Sequence, residues 1–265
     1  MLLALDIGNS SISVGIFDLS ADQVPLLNAS FKISLKSYSA DEYTLLLKDF
    51  ISKSFPDKNS RIDCSVISSV VPELTDIISI AAQNLTGTKP LIIDQGIRTG
   101  FGIRIKNPEQ LGSDIVCNTA AAFHVTEAPF VILDMGTATT ITFVNTAKEV
   151  VGTIIIPGLK VSMNALSDSA ALLNTASLEY NDELIGRDTQ SAIRSGVING
   201  NVYMIDGFIR NIREKMLKNG EKLNLIATGG LAERIIPYTR NKFSYYENLT
   251  LLGMAYLYRK NRKNQ

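Results

Sequence analysis

The chain has 265 residues, of which 45% are hydrophobic and 20% are charged, as in ordinary globular proteins, and this length suffices for two domains. Lysine plus arginine equals aspartate plus glutamate at 26 each, so no net field would draw the chain to nucleic acid or to an anionic membrane. The single histidine, His124, argues against a histidine metal site and against a Ser-His-Asp triad.

The cysteines and the absence of recognisable targeting signals indicate a cytoplasmic protein. Cys64 and Cys117 show neither metal-ligand spacing nor the framework of a secreted disulfide protein, so we expect free thiols in a reducing compartment. No signal peptide is recognisable, and no apolar run is long enough for a membrane helix. We therefore expect a cytoplasmic location without a nucleic acid or membrane partner.

The first part of the chain predicts the alternating strands and helices of a layered α/β domain. Apolar alternation indicates the strands, while Ser39 and Pro72 are typical first residues of the two helices. The predicted order is strand, strand, strand, helix, strand, helix, strand, over residues 2–6, 12–18, 27–34, 39–53, 61–71, 72–85 and 89–94.

The second part repeats this order in outline. Glycines at 196, 200 and 207 lie along a predicted long helix, where each costs about 1 kcal/mol, so we expect them to permit close packing or the approach of a ligand. The predicted elements are an extended segment, a helix, three strands, a helix, an irregular segment, a long helix, a strand and a closing helix, over residues 99–106, 115–125, 129–134, 139–145, 149–156, 159–167, 168–186, 189–218, 223–227 and 248–260.

Two similar hairpins lie half a chain apart, at residues 3–17 and 131–144. Each has an apolar strand, an Asp-x-Gly turn with Asp6 or Asp134, small hydroxyl or amide residues, and a second strand. Glycine lets a backbone approach a ligand closely, and the N–H groups of a tight turn can bind an anion. Asp-x-Gly is also ordinary turn chemistry, but its repetition favours a pair of phosphate-binding hairpins.

This repetition predicts two similar α/β domains, each presenting its hairpin to a central cleft. We expect the domains to cover residues 1–115 and 116–265. The basic segment 259–263 is the one local excess of charge, and it is typical of a solvated last turn of a helix.

The two hairpins, together with the segment 227–230 (Ala-Thr-Gly-Gly), resemble the superfamily of acetate and sugar kinases, Hsp70 and actin. The resemblance implies two ribonuclease H-like, actin-like ATPase domains. In that superfamily the hairpins hold the phosphates of ATP, and the Gly-Gly turn receives the adenosine.

Within the superfamily the sequence resembles type III pantothenate kinases over nearly its whole length and in the right order. The start resembles that of the family, the second hairpin turn matches almost letter for letter, and Pro-x-x-x-Gly-x-Asp matches the central signature as far as the aspartate. The segments that carry the resemblance are 6–10, 108–114, 134–140, 152–159, 185–189 and 195–196.

The resemblance implies ATP-dependent phosphorylation of pantothenate to 4'-phosphopantothenate, the first step towards coenzyme A. It also implies a homodimer, Mg²⁺ and a monovalent cation, K⁺ or NH₄⁺. By position, Asp114 is the catalytic base and also contacts the acceptor substrate together with Gly112 and Thr189. Asp134 is at the monovalent-cation site, and Asp6 holds Mg²⁺ through water. The positions implied to meet ATP are Asp6, Ile7, Gly8, Asn9, Ser10, Ser11, Thr137, Thr228, Gly229 and Gly230.

Simpler structural roles exist for three of these residues. Asp114 precedes a predicted helix and can be an N-terminal cap, Thr189 can cap the next long helix, and Asp134 can be a plain turn former. For a hydroxyl nucleophile, however, a carboxylate such as Asp114 can orient the hydroxyl and accept its proton late in phosphoryl transfer.

Four positions depart from the family pattern, and they keep other functions open. Isoleucine replaces the expected arginine at 115 and the expected tyrosine at 105; Thr142 replaces an acidic residue and Thr153 a glycine. Pantothenate is an anion, and isoleucine cannot bind a carboxylate as arginine does. The alternatives are a nucleotide-binding regulatory paralogue and a kinase of a different, less anionic small alcohol. Arg104 is a candidate replacement for the missing cation.

Overall fold

A computed structural model describes residues 1–19, 24–55, 61–169, 179–180, 182–218 and 220–262, except for the side chains of 167–169. Its strands, β1 to β11, are Leu2–Ile7, Ser11–Asp18, Leu26–Ser34, Cys64–Ser69, Leu91–Ile92, Gly102–Ile103, Phe130–Met135, Ala138–Val144, Glu149–Pro157, Asn224–Thr228 and Ser244–Tyr245. Its α-helices, α1 to α8, are Ala40–Ser54, Pro72–Thr86, Ser113–Val125, Leu159–Ser169, Thr189–Arg194, Gly200–Met216, Ala232–Ile235 and Leu249–Asn261.

Every strand and helix predicted from the sequence has a counterpart, but the long helix predicted over residues 189–218 is wrong as a single element. It consists of α5, a π-helical segment Ser195–Asn199 and α6. A Cβ atom added at Gly196, Gly200 or Gly207 would meet no heavy atom of the described chain within 4 Å, so close packing does not explain these glycines. The predicted irregular segment lies mostly outside the described residues, and its first two residues belong to α4.

Among the described strands and α-helices, two short elements were not predicted. Helix α7 and strand β11 follow the Gly-Gly turn, and each is so short that no periodic pattern marks it. Elsewhere local signals set the boundaries: Ser39 and Glu42 form a reciprocal capping box at the start of α1, and Gly87, with φ +73°, ends α2. No helix in the described part of the chain has the length and apolar character needed to cross a membrane.

The chain divides into two compact units. Unit 1 comprises Met1–Phe101, Lys106–Val125 and Leu249–Gln265, and unit 2 comprises Gly102–Ile105 and Thr126–Asn248. The cut at residue 115 that the sequence suggests would pass through α3. The buried face of α3 packs in unit 1 against α8, where the two backbones come so close at Gly253 and Cys117 that no side chain would fit at Gly253.

The sheet of unit 1 has the strand order β3-β2-β1-β4-β5. β1 pairs antiparallel with β2 and parallel with β4. One face of the sheet forms a core with α1 and α2, which includes Leu5, Tyr43 and Ile78. The other face forms a second core with α3 and α8, which includes Ala4 and Leu251.

The sheet of unit 2 has the order β11-β10-β7-β8-β9-β6. Apart from β6 at its edge, this order repeats that of unit 1, with β7 antiparallel to β8 and parallel to β10. Leu133 and Ile141 share one core with Leu159 of α4 and Ile205 of α6. The prediction of two similar ribonuclease H-like domains is therefore confirmed.

Candidate functional site

The first hairpin turn lies where β1 and β2 meet in unit 1. Its N–H at Gly8 donates to the Ser11 carbonyl at 3.0 Å, which closes the turn, and Asn9 and Ser10 are exposed at its tip. Amide and hydroxyl donors at an exposed, closed turn can contact a phosphate. Asp6 sits at the strand end immediately before the turn.

Two serine hydroxyls connect Asp6 to the start of α3. The Ser68 hydroxyl donates to the Asp6 carboxylate at 3.0 Å, and it lies 3.0 Å from the Ser113 hydroxyl. The Ser113 hydroxyl also lies 3.1 Å from the Ser69 carbonyl, to which it can donate. This serine bridge, formed by Ser68 and Ser113, places the Asp6 carboxylate near the residue that precedes Asp114.

Asp114 lies in the first turn of α3 and is mostly buried. The helix begins at Ser113, so Asp114 is not the residue before the helix, as a cap would be. Its carboxylate accepts the N–H of Ile115 at 2.8 Å. Burial raises the pKa of the Asp114 carboxyl above its ordinary value, although the backbone N–H groups of Ile115 and Asp114 act in the opposite direction.

Gly112 makes room for that carboxylate. A Cβ atom at this position would collide with Oδ1 of Asp114, so any other residue would push the carboxylate aside.

The Cys117 thiol is one turn further along α3 and is fully buried. Burial, with a smaller contribution from the Asp6 charge, holds its pKa well above the ordinary value, so it stays a neutral thiol.

The second hairpin turn, in unit 2, is held by backbone contacts. Gly136 donates to the Ala138 carbonyl at 3.0 Å, and Gly158 donates to the Thr137 carbonyl at 3.1 Å. A side chain at Gly158 would collide with the Thr137 carbonyl oxygen. The Thr137 position is therefore fixed by Gly158, which directly follows β9.

Asp134 lies beside the Gly-Gly turn of the same unit. It pairs with Thr228 across the parallel strands β7 and β10. Gly229, with φ +91°, follows, and a Cβ atom there would be 2.7 Å from Oδ1 of Asp134. Unit 2 thus brings Asp134, Thr228 and Gly229 together at one strand end, where backbone atoms and a carboxylate are close.

Thr189 is the first residue of α5, and the cap of that helix is Asp188. The Asp188 carboxylate accepts the N–H of Ser191 at 3.0 Å, so the suggestion that Thr189 itself caps the helix is wrong. The hydroxyl of Ser195, in the π-helical segment, donates to the Leu184 carbonyl at 2.6 Å and fixes the preceding loop. Gly186 in this loop presses against the backbone at Ala192.

The positions that depart from the family pattern have distinct surroundings. Ile115 is buried, and Arg104 is exposed with its guanidinium 3.7 Å from the Glu149 carboxylate. Thr142 and Thr153 face each other across β8 and β9, and their hydroxyls are 2.6 Å apart. Two of the departures are therefore one hydrogen-bonded pair.

Ser68 and Ser113 were not recognised from the sequence as parts of the site. Serine is common in strands and at helix starts, so neither residue stands out alone. The signal that could have found Ser68 is the symmetry of the two units, because Ser68 pairs with Asp6 as Thr228 pairs with Asp134.

Among the described residues there is no cluster of three or more His, Cys, Asp or Glu side chains that could enclose a metal ion. The Asp6 carboxylate in unit 1 is of the kind that can hold Mg²⁺, which is usually bound by one or two carboxylates, waters and the phosphates of a substrate.

Two ribonuclease H-like units with an aspartate hairpin in each define the actin-like fold class. Solved structures with this fold include a Baf family transcriptional activator from Campylobacter jejuni, with a TM-score of 0.59, 19% identity and coverage of 98% of this chain and 99% of that one. Another is an activator of 2-hydroxyisocaproyl-CoA dehydratase from Clostridium difficile with bound ADPNP, with a TM-score of 0.54, 12% identity and coverage of 100% and 97%.

The sequence comparisons narrow this class to one family. The family model described as type III pantothenate kinase matches residues 2–211. A type III pantothenate kinase from Geotalea daltonii is 34% identical over 265 residues, which cover 100% of both chains. The chain belongs to the type III pantothenate kinase family.

Proposed function

We propose that this chain transfers the γ-phosphoryl group of ATP to the primary hydroxyl of pantothenate, giving 4'-phosphopantothenate on the route to coenzyme A. Full-length membership in the family supports the reaction. The observation that carries the proposal is the serine bridge in unit 1, which runs from the Asp6 carboxylate to Ser113, the residue before Asp114.

Asp114 is the base in this proposal. Its carboxylate orients the acceptor hydroxyl and takes its proton as the bond to phosphorus forms. The raised pKa makes it a better proton acceptor than an ordinary aspartate. Gly112 lets the acceptor and this carboxylate approach the backbone, and Thr189 at the start of α5 supplies a further hydroxyl to the acceptor.

ATP contacts are assigned separately in each unit. In unit 1 the phosphates meet the hairpin turn, whose residues are Asp6, Ile7, Gly8, Asn9, Ser10 and Ser11. In unit 2 Thr137 contacts ATP, and Thr228, Gly229 and Gly230 receive the nucleoside. The close backbone approach at Gly229 supports this assignment, because a bare backbone can lie against a nucleotide.

Two cations complete the proposal. Asp6 would hold Mg²⁺ through water, and Asp134 would contact a monovalent cation, K⁺ or NH₄⁺. When bound, the cations neutralise charge on the transferring phosphoryl group and the leaving diphosphate. Asp6 is kept in one orientation by the Ser68 hydroxyl, which suits a carboxylate that must hold a hydrated ion.

The acceptor side differs from the family pattern, and this favours a second candidate, phosphorylation of a less anionic alcohol. Ile115 is buried and offers no cation to a carboxylate. Arg104 is exposed but lies beside Glu149, whose carboxylate also accepts from Asn145 at 2.9 Å. If Arg104 replaces the missing arginine, Arg104→Ala will weaken pantothenate binding about tenfold in calorimetry; unchanged affinity removes it from the acceptor site.

The first experiment measures ADP release from Mg-ATP and potassium with and without pantothenate. We expect pantothenate-dependent ADP that Asp114→Asn abolishes. No stimulation, together with measurable ATP binding, would exclude the pantothenate reaction, and neutral alcohols would then be tested as acceptors. We further propose a homodimer in the cytoplasm; light scattering of the purified chain would test the dimer.

A further inference from the structure

We propose that Ser68 is a positioning residue for phosphoryl transfer: its hydroxyl fixes the Asp6 carboxylate and, through Ser113, ties it to the helix start that carries Asp114. The inference rests on the proposed function and adds a residue to its site. Ser68 is 0% exposed, so it acts through the groups it contacts and not by touching a ligand.

The sheet register sets this contact. Asp6 and Ser68 are direct partners in the parallel pair β1 and β4, and neighbouring strands in register point their side chains to the same face. That face is the one covered by α3, because Ala4, Val66 and Cys117 share its core. The Ser68 hydroxyl therefore lies between the strand end with Asp6 and the first turn of α3.

The number of hydroxyl protons fixes which atom donates in the bond between Ser68 and Asp6. A serine hydroxyl has one proton, and the Ser68 proton is used in the 3.0 Å bond to Asp6. The Ser113 hydroxyl can then donate either to Ser68 or to the Ser69 carbonyl. In the first arrangement two hydroxyls point in sequence towards the carboxylate, and such chains strengthen each bond. In the second arrangement Ser113 fixes β4 to α3 directly.

Either arrangement predicts the same defect when the Ser68 hydroxyl is removed. Oδ1 of Asp6 loses a buried donor, and the Asp6 carboxylate loses its connection through Ser68 to Ser113 of α3. A carboxylate that holds a hydrated cation is sensitive to the loss of such an orienting bond. Acceptor binding should change less, because Gly112 and Thr189 do not depend on this bond.

A matched control lies on the same strand. Ser65 is also buried in β4, but its position alternates to the opposite face, and its hydroxyl has no hydrogen-bond partner in the described chain. Ser65→Ala thus deletes a buried hydroxyl from the same strand without touching Asp6. Ser113→Ala provides a milder disruption of the bridge at a less buried site.

The experiment compares Ser68→Ala, Ser113→Ala, the double variant and Ser65→Ala. For each we would measure kcat, the KM for pantothenate, the melting temperature and, by calorimetry without pantothenate, ATP binding against Mg²⁺ concentration. We expect Ser68→Ala to lower kcat about tenfold and to raise the Mg²⁺ needed for half-maximal ATP binding several-fold, with KM for pantothenate within about twofold. The double variant should resemble Ser68→Ala, because both residues act through one bridge.

Ser65→Ala should give the same results as the protein without a substitution in all four measurements. The proposal is overturned if Ser68→Ala behaves as Ser65→Ala does, or if it lowers only the melting temperature. Should Ser68→Ala not fold, Ser113→Ala decides, and an unchanged kcat and Mg²⁺ requirement would overturn the bridge. If the protein without any substitution shows no pantothenate-dependent ADP release, the proposed function is contradicted and not the role of Ser68. The Mg²⁺ dependence of ATP binding still tests Ser68 in that case.

Discussion

The strand ends of the two units carry similar residues in the same register, Asp6 with Ser68 and Asp134 with Thr228, but the contacts around the two carboxylates differ. In unit 1 the carboxylate of Asp6 accepts a hydrogen bond from Ser68, and a second serine continues to a helix. In unit 2 Asp134 pairs in register with Thr228, and the glycine that follows brings bare backbone against the carboxylate. Side-chain hydrogen bonds thus connect the first strand end to a helix, and at the second strand end the backbone of Gly229 lies close to the carboxylate.

This difference indicates how each unit tolerates change. A site held by side-chain hydrogen bonds can lose a bond and keep its fold, so its failures appear in the chemistry. A site held by backbone contact has no flexible group to move, so its failures appear in stability. The predictions below test this division.

The largest effect is expected for the base in unit 1. Asp114→Asn should lower kcat by about 10²–10⁴-fold, the usual range for loss of a positioned proton acceptor. Burial disfavours the ionised form of this carboxyl, so the neutral amide should leave the melting temperature equal or higher. Glu109→Gln, which changes an exposed carboxylate in the segment before α3, is the control and should retain activity. An active Asp114→Asn enzyme would remove Asp114 from the role of base.

The glycines give the most direct comparison between the units. In unit 2, Gly158→Ala places a Cβ atom against the backbone carbonyl of Thr137, which cannot move aside, and should destabilise the fold by about 1–3 kcal/mol. In unit 1, Gly112→Ala meets the side-chain carboxylate of Asp114, which can rotate, so activity should fall about tenfold or more with a small change in stability.

Thermal melts and steady-state kinetics of both variants test this pair. A Gly112→Ala protein that melts as early as Gly158→Ala, with normal kcat per folded molecule, would contradict the division between side-chain and backbone support.

The pH profile tests the environment of Asp114. A base must be ionised, so kcat/KM should fall as the pH drops through the pKa of Asp114. Because burial raises that pKa, the fall should begin above the range expected for an ordinary aspartate, whose pKa is about 3.9. The free energy of unfolding changes in the opposite direction. Because the pKa of this carboxyl is raised in the folded state, the folded state binds the proton more tightly than the unfolded state, and the free energy of unfolding rises as the pH falls through that pKa. An acid limb at the ordinary aspartate value would show that the carboxyl is hydrated in the working enzyme.

The smallest effect concerns the threonine pair in unit 2. Thr142→Val leaves the Thr153 hydroxyl without its 2.6 Å partner and should cost about 1–2 kcal/mol. Replacing both residues by valine should cost less than this single change, since no polar group is then left unpaired. Denaturant unfolding of the two single variants and the double variant measures the coupling. Additive losses would show that the two hydroxyls do not depend on each other.

The sequence predicted the elements well where local chemistry decides them. The hairpins were recognisable because Asp-x-Gly turns separate alternating apolar runs, and α1 because Ser39 and Glu42 cap it. The π-helical segment was not predicted, because its glycine, Gly196, resembles a glycine of a packed helix, and the bond from Ser195 to the carbonyl of Leu184 is a contact that no local pattern shows. Boundaries set by tertiary contacts are invisible to a local pattern.

The site was predictable only where a motif carried it. Asp6 and Asp114 were named from their motifs, and these assignments stay predictions until tested. The serine bridge was not foreseen, because Ser68 lies 62 residues from Asp6 and 45 residues from Ser113, and only the strand register brings them together. The pairing of Thr142 with Thr153 was not predictable either, because the sequence shows two separate departures from the family pattern and only the strand register brings them together.

The membership of α8 in unit 1 has a consequence for biosynthesis. Leu251 and Met254 of α8 pack in the same core as Leu2 and Ala4 of β1. The ribosome nevertheless adds α8 only after all of unit 2 has been made. Translation proceeds at about 5–20 residues per second, so one apolar face of the first sheet is covered only in part, by α3, throughout that interval. The inserted unit can close first, and the nascent first unit is the part of the chain that most needs protection from aggregation until the last helix is released.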